Sequence, residues 1–264
     1  MPILMDNTGT VRMPFIARWA WERLVFWVAL GVLAGSGVVV TTFALMGAPF
    51  LSADARVRTG QGILHRFFRR YFRLLSGTGL FRFDLDEIAG LAEERPMVLV
   101  ANHPALLDAM LVAARLPRVV GIMKADVRLS PVYAGSALLA GYARGDRPVE
   151  MIHAMVNALG SGQHVLVFPE STRTVREPIN AFKGNFALIA KQARVPVQAL
   201  IIETNSPYLR KGWSMLRKPA MPVCFKVRLG RRFDAVGDLK QFVREVESYF
   251  AAELADQSLD RGMP

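Results

Sequence analysis

Thirty consecutive residues, Leu24 to Ala53, carry no charge, and from Leu24 to Met46 the run is nearly all apolar. About 20 such residues in a helix span the ~30 Å hydrocarbon core of a bilayer, so the run predicts a membrane helix. Trp19, Trp21 and Trp27 crowd its start, where amphipathic rings favour the membrane interface. The alternative is a cleaved leader, with Ala53-Asp54-Ala55 as a small-x-small site. A leader's apolar region takes only about 7 to 15 residues, which favours an anchor. Arg12, Arg18 and Arg23 precede the run, whereas Arg56, Arg58, Arg66, Arg69, Arg70 and Arg73 follow it. The excess on the C-terminal flank predicts that the bulk of the chain faces the cytoplasm, at the cell inner membrane.

The stretch from Ile63 to Leu75 interleaves aromatics with arginines and reads as an amphipathic helix lying in the headgroup layer. The first segment then either crosses the bilayer or forms half of a hairpin within one leaflet. Over the whole chain, 33 Lys and Arg against 22 Asp and Glu leave a net charge of +11. Such a balance selects anionic partners: nucleic acid, an acidic bilayer or phosphorylated substrates. The anchor directly before the basic stretch favours membrane lipids and argues against nucleic acid. Oligomeric state leaves no mark in the sequence. Cys224 is the only cysteine, which excludes an intrachain disulfide and a multi-cysteine metal site. Between Val223 and Phe225 it reads as a small buried hydrophobe.

A chain of 264 residues accommodates one catalytic domain plus an extra element. Beyond Gly79, short β-rich runs (Met97 to Ala101, Arg118 to Met123, His164 to Phe168, Val197 to Ile202, Val223 to Leu229) alternate with helical stretches. The helical candidates are Pro104 to Leu116, Pro131 to Leu139, Val149 to Leu159, Asn185 to Gln192 and Leu239 to Leu254. This alternation predicts an α/β fold, a mixed and largely buried sheet flanked by helices, behind an N-terminal helical membrane anchor. The expected division is an anchor over residues 1–78, an α/β domain over 79–256 and a polar tail over 257–264.

Two strand ends carry the chemistry. After Met97 to Ala101 comes Asn102-His103-Pro104-Ala105-Leu106-Leu107-Asp108. Pro104 suits a first helical turn, which places His103 at the helix entrance and Asp108 about one turn inside. Asp108 stands among apolar residues, where an unpaired carboxylate is costly, and His103 is its natural partner. An imidazole held by a carboxylate on one nitrogen can use the other as a general base toward a hydroxyl. The structural alternative is a capping histidine with a buried salt link. After His164 to Phe168 comes Pro169-Glu170-Ser171-Thr172-Arg173-Thr174, at the carboxyl end of a strand, where open α/β folds place ligands. Arg173 can fork onto a phosphate, with Thr172 and backbone amides adding donors. Ser171 lacks the flanking glycines of a nucleophile elbow, so no acyl-enzyme is expected. His65, His153 and His164 read as surface or core residues, and no ligand pattern supports a catalytic metal.

Together the two blocks resemble the glycerolipid acyltransferase family, which includes lysophosphatidic acid acyltransferases. Asn102-His103 through Asp108 looks like its N-H-x-x-x-x-D block, and Phe168 to Thr174 looks like its F-P-E-G-T-R-[ST] block, roughly 60 residues later. Gly141 to Arg147 is similar to its G-x-I-x-I-D-R stretch, Lys124 to Val127 to a K-x-E-L segment, and Val195-Pro196-Val197 to its V-P-[IV]-x-P strand. The resemblance covers about residues 90 to 230. It implies His103 and Asp108 as catalytic, and Lys124, Arg147, Glu170, Ser171, Thr172 and Arg173 as substrate-binding, with Arg144 an alternative to Arg147. In that mechanism Arg173, Arg147 and Lys124 hold an acceptor phosphate, while Glu170 orders these cations or a glycerol hydroxyl. No cofactor is expected: acyl carrier protein or coenzyme A brings the acyl group as a thioester, and the lysolipid is the acceptor. Ser171 stands where glycine is usual, Ala143 and Gly145 replace apolar residues, and Ala199 replaces the last proline. These departures fall in the region the resemblance assigns to acceptor binding. They keep open a lyso-aminolipid or polyene-type acceptor, beside a hydrolase or thioesterase using the same dyad and a non-catalytic lipid binder.

Overall fold

The computed structural model describes residues 14–47, 50–123, 134–176, 178–234 and 237–260. Helix α1 (Phe15–Gly47) contains the apolar run. At 1.5 Å per residue its 33 residues reach roughly 50 Å, more than a hydrocarbon core requires. Most of its apolar surface lies outside the packed interior, and the helix is long and apolar enough to cross a membrane. Its inner face does pack: Val25, Phe26 and Ala29 are buried, and Glu22 pairs with Lys218 at 2.8 Å.

Helix α2 (Ala53–Gly77) is capped by Ser52, whose Oγ accepts from the Ala55 N–H at 3.3 Å. The Ala53-Asp54-Ala55 triplet is its first turn. The amphipathic pattern is confirmed, but the partner of its apolar face is corrected. Leu64, Phe68, Tyr71, Phe72 and Leu75 are buried in the α/β core, with Arg58, Arg66, Arg69, Arg70 and Arg73 exposed. An apolar stripe needs cover, which bilayer and domain supply equally well, and sequence periodicity does not distinguish them. Full burial of each such side chain contributes about 1.5 to 3 kcal/mol. Tyr71 Oη donates to the Ala29 carbonyl at 3.1 Å, tying α2 to α1.

The domain follows as β1 (Phe81–Asp84), β2 (Val98–Ala101), α3 (Asp108–Arg115), β3 (Val119–Met123), α4 (Ala134–Ala140) and β4 (Ala143–Arg144). Then come α5 (Pro148–Gly160), β5 (His164–Val167), α6 (Asn185–Ala193), β6 (Val197–Thr204), β7 (Val223–Phe233) and α7 (Leu239–Asp260). Helix α4 fits closely against the anchor: a Cβ at Gly135 would collide with the Thr41 backbone, and one at Gly60 with Leu139.

The strands form one seven-stranded sheet in the order β1-β7-β6-β2-β5-β3-β4. β6, β2, β5, β3 and β4 run parallel, and β7 is antiparallel to β6. Alternate residues face opposite layers. Leu99, Ala101, Leu166 and Leu200 join α2 and α3 on one side, while Val98, Val100, Val165 and Val197 join α5, α6 and α7 on the other. β2 leads through α3 to β3, beyond β5, whereas β5 leads through α6 to β6, beyond β2. The chain therefore leaves neighbouring strands in opposite directions, which opens a crevice at their carboxyl ends.

Several expectations are corrected. β1 and the two-residue β4 escape sequence detection because they are short edge elements. Helix α7 continues to Asp260, so the tail from Gln257 is helical through that residue. Cys224 lies half-buried rather than buried, because β7 alternates and turns Val223, Phe225 and Val227 inward instead.

Candidate active site

Helix α3 begins at Asp108, not at Pro104. The reason is the carboxylate itself: Asp108 Oδ2 accepts from the Ala105 N–H at 2.9 Å and from His103 Nδ1 at 2.7 Å, holding residues 103–107 in a turn ahead of the helix. Asp108 is completely buried. Burial pushes its carboxyl above the usual range, and the hydrogen bonds from His103 and Ala105 oppose that shift. Its Oδ1 is buried with no hydrogen-bond partner among the described residues. The His103 ring stacks on Phe168 at 4.2 Å and keeps 18% of its side chain exposed. With Nδ1–H donated to Asp108, the basic lone pair lies on Nε2, which has no partner among the described residues. A fixed tautomer with one free basic nitrogen is the arrangement that general-base chemistry on a hydroxyl requires.

The loop after β5 meets this turn through Glu170. Glu170 is buried, and its Oε1 accepts from the His103 N–H at 2.9 Å and from Thr174 Oγ1 at 2.8 Å. Its Oε2 accepts from the Asn180 N–H at 2.9 Å. The Thr174 N–H completes the junction by donating to the His103 carbonyl at 2.7 Å. Within the protein, the Glu170 carboxylate clasps two loops and fixes the backbone of His103. The hydroxyl in this junction belongs to Thr174, while Thr172 sits half-buried beside it. Ser171 has φ 57°, the left-handed region that costs a side-chain-bearing residue roughly 1 to 2 kcal/mol. That conformation explains why glycine suits this position.

Arg173 is also engaged. Its Nη1 donates to the carbonyls of Leu209 and Arg210 at 2.8 and 3.0 Å, so the guanidinium grips a loop beyond β6. Arg144 ends β4, the edge strand two places from β5, and Arg147 follows it at the start of α5. Arg144 pairs with Asp146 at 2.7 Å and Arg147 with Glu150 at 3.1 Å, and neither hydrogen-bonds to the dyad. Lys124 lies outside the described residues. Ala199 is buried within β6 opposite Val100, and Ala143 is buried in β4. These two departures sit in the sheet core rather than at a ligand surface.

Asn102 and Asn180 had no role assigned from sequence. Asn102 Nδ2 donates to the Ile202 carbonyl and its Oδ1 accepts from the Ile202 N–H, both at 2.8 Å, locking the end of β2 to β6. An amide at a strand end hints at such a bridge, but nothing local names the partner. A cavity of about 850 Å³ lies beside the dyad turn, with Asn102, Pro104, Thr174, Arg210 and Lys211 among its lining residues.

A partly exposed His103 held by a buried Asp108 stands at the switch point of an open α/β sheet, clasped to the neighbouring strand loop, an arrangement that can activate a hydroxyl. Residues 82–203 match the family described as Acyltransferase. The chain is 34% identical over 119 residues to a lyso-ornithine lipid O-acyltransferase of Pseudomonas aeruginosa, covering 44% of this chain and 46% of that one. It is 28% identical over 149 residues to human 1-acyl-sn-glycerol-3-phosphate acyltransferase beta, covering 54% and 52% respectively. It thus spans about half the length of the curated relatives it matches. The crystal structure of the 1-acyl-sn-glycerophosphate acyltransferase of Thermotoga maritima shares the fold, with a TM-score of 0.65 over 93% of this chain and 98% of that one at 19% identity.

Proposed function

We propose that the protein is a membrane-associated O-acyltransferase that moves a fatty acyl group from acyl-CoA or acyl carrier protein to the hydroxyl of a lysophospholipid such as 1-acyl-glycerol-3-phosphate. One observation carries this reading: Asp108 holds His103 Nδ1 at 2.7 Å, while Nε2 has no hydrogen-bond partner among the described residues. Nε2 removes the hydroxyl proton as that oxygen bonds to the thioester carbonyl carbon. The carbon–sulfur bond then breaks, and the leaving thiolate takes the proton back from Nε2. Asp108 stabilises the imidazolium formed between these steps. Burial favours neutral Asp108, but the attraction of a forming imidazolium grows in the same low-dielectric setting. Arginines on the outer face of α2 supply the positive flank that supports a domain on the cytoplasmic face of the inner membrane.

The test is purified full-length protein with acyl-CoA or acyl carrier protein thioester and lysophosphatidate, with products read by mass spectrometry. Wild type should form diacylated lipid, and His103→Ala, still folded by circular dichroism, should lose about a thousandfold to ten-thousandfold of the rate. Near-normal turnover by folded His103→Ala would end the general-base assignment. Thioester loss without any acceptor would mean that water is the nucleophile and the enzyme a hydrolase.

A second acceptor class has specific support. The relative at 34% identity is named for a lyso-ornithine lipid, and Arg144, Arg147 and Arg173 are all engaged within the protein. Offering a phosphate-free lyso-ornithine lipid beside lysophosphatidate, with one donor, decides between them.

A further inference from the structure

We infer that the turn from Trp213 to Lys218 is a second membrane contact, which sets the side chains of Met215 and Leu216 into the bilayer surface beside the start of the anchor helix. The inference rests on the membrane association proposed above and not on acyl transfer. Single exposed apolar side chains are ordinary on a protein surface; this pair differs in how it is held and in what stands beside it. Met215 is 40% and Leu216 65% exposed, on a turn closed by its own contacts. The Arg217 N–H donates to the Ser214 carbonyl and Trp213 Nε1 donates to the Arg217 carbonyl, each at 3.0 Å. The Arg217 guanidinium lies 4.6 Å from the centre of the Trp213 ring. These closures fold residues 213–217 back on themselves and leave Met215 and Leu216 at the tip.

Helix α1 sets the level of the turn. Its apolar run begins at Leu24, so Arg18, Glu22 and Arg23 are the last charges before hydrocarbon and mark the headgroup layer. Lys218 Nζ donates to Glu22 Oε2 at 2.8 Å and to the Pro219 carbonyl at 3.2 Å, which fixes the end of the turn at that level. A ladder of rings repeats the tie: Phe26 of α1 meets Tyr208 at 6.3 Å, and Tyr208 meets Trp213 at 6.4 Å, both edge to face. On α1 itself, half-exposed Trp19 lies 4.3 Å from the Arg23 guanidinium, the same indole–guanidinium pairing that Trp213 and Arg217 make. Such pairs suit the membrane interface, where the aromatic body meets acyl chains and the charged head meets water and phosphate. Met215 and Leu216 thus extend the exposed apolar surface of α1 across to the α/β domain. The same loop continues to the cavity beside the dyad, where Lys211 and Gly212 are lining residues and the Leu209 carbonyl accepts from the Leu106 N–H at 3.2 Å. A tip seated in the bilayer holds that cavity close to the lipid surface.

The experiment uses full-length Cys224→Ser protein in vesicles of phosphatidylethanolamine and phosphatidylglycerol, labelled with nitrobenzoxadiazole at Leu216→Cys, Val39→Cys or Ser161→Cys. Val39 is exposed on α1, and exposed Ser161 precedes the amino end of β5, away from the dyad. Aqueous iodide and a nitroxide-labelled lipid serve as quenchers. The Leu216→Cys label should be shielded from iodide several-fold relative to Ser161→Cys and quenched by the nitroxide lipid, as Val39→Cys is. Lipid quenching at Val39→Cys with none at Leu216→Cys overturns the contact and leaves the anchor standing. Lipid quenching at neither overturns both. Shielding of Leu216→Cys from iodide without lipid quenching means that a second copy of the chain covers the tip, which also overturns the contact. Because the label is itself apolar, Ser214→Cys is labelled in turn, alone and with Met215→Asp/Leu216→Asp. Burial of one such side chain shifts an in–out equilibrium by about 10-fold or more, so the double aspartate variant should lose lipid quenching at Ser214→Cys. Quenching that survives those two substitutions overturns the role of Met215 and Leu216.

Discussion

Replacing Glu170 with Gln separates the clasp seen in the structure from the ligand contact expected from sequence. The carboxylate accepts three hydrogen bonds: two at Oε1, from the His103 N–H and Thr174 Oγ1, and one at Oε2, from the Asn180 N–H. Glutamine offers one oxygen and one amino group. Its best placement keeps the oxygen on the His103 side and turns the amino group toward the Asn180 N–H, donor against donor. One charge-assisted bond is lost and a partly buried N–H is left unpaired, at a cost of about 1.5 to 3 kcal/mol. At roughly 2 to 4 °C per kcal/mol for a domain of this size, the apparent Tm should fall by about 3 to 12 °C. Catalysis should fall too, because the His103 backbone is one of the groups released. A displacement of even about 1 Å at a reacting group can cost a hundredfold. The assay pairs thermal melts with kcat and KM for the acceptor. The clasp predicts lower Tm and lower kcat with little change in KM. An unchanged Tm with a raised acceptor KM would refute it and return Glu170 to the substrate.

Two further outcomes follow from local geometry. Ser171→Gly relieves a left-handed conformation and should raise stability by up to about 1 kcal/mol without loss of transfer, checked by melts and initial rates. His164 is buried with Nε2 against the Leu91 carbonyl at 2.8 Å and Nδ1 accepting from the Met97 N–H at 3.3 Å, a pattern that only the neutral ring satisfies. Burial lowers its pKa below 6.5, so as pH falls through that value the unfolded chain binds the proton first. Its contribution to stability should be constant above about pH 7 and decline below 6.5, and melts of His164→Gln should show a shallower decline.

The sequence by itself determined the features whose cause is local. The uncharged run became α1, five apolar runs became strands, and His103 and Asp108 were recognisable as a pair because they stand only five positions apart. Residue type and short spacing carry that information, since helical reach and strand alternation act over a few positions. What only the tertiary structure decided concerns partners far apart in the chain. Glu170 meets a backbone N–H 67 residues earlier, Arg173 meets carbonyls 36 and 37 residues later, and Asn102 meets Ile202 across 100. Each of those side chains was legible as polar and well placed, yet a carboxylate or guanidinium binds a substrate as readily as a loop. The choice rests on which donors and acceptors the folded sheet brings within about 3 Å. The apolar face of α2 was settled the same way, by the domain surface that folding places against it.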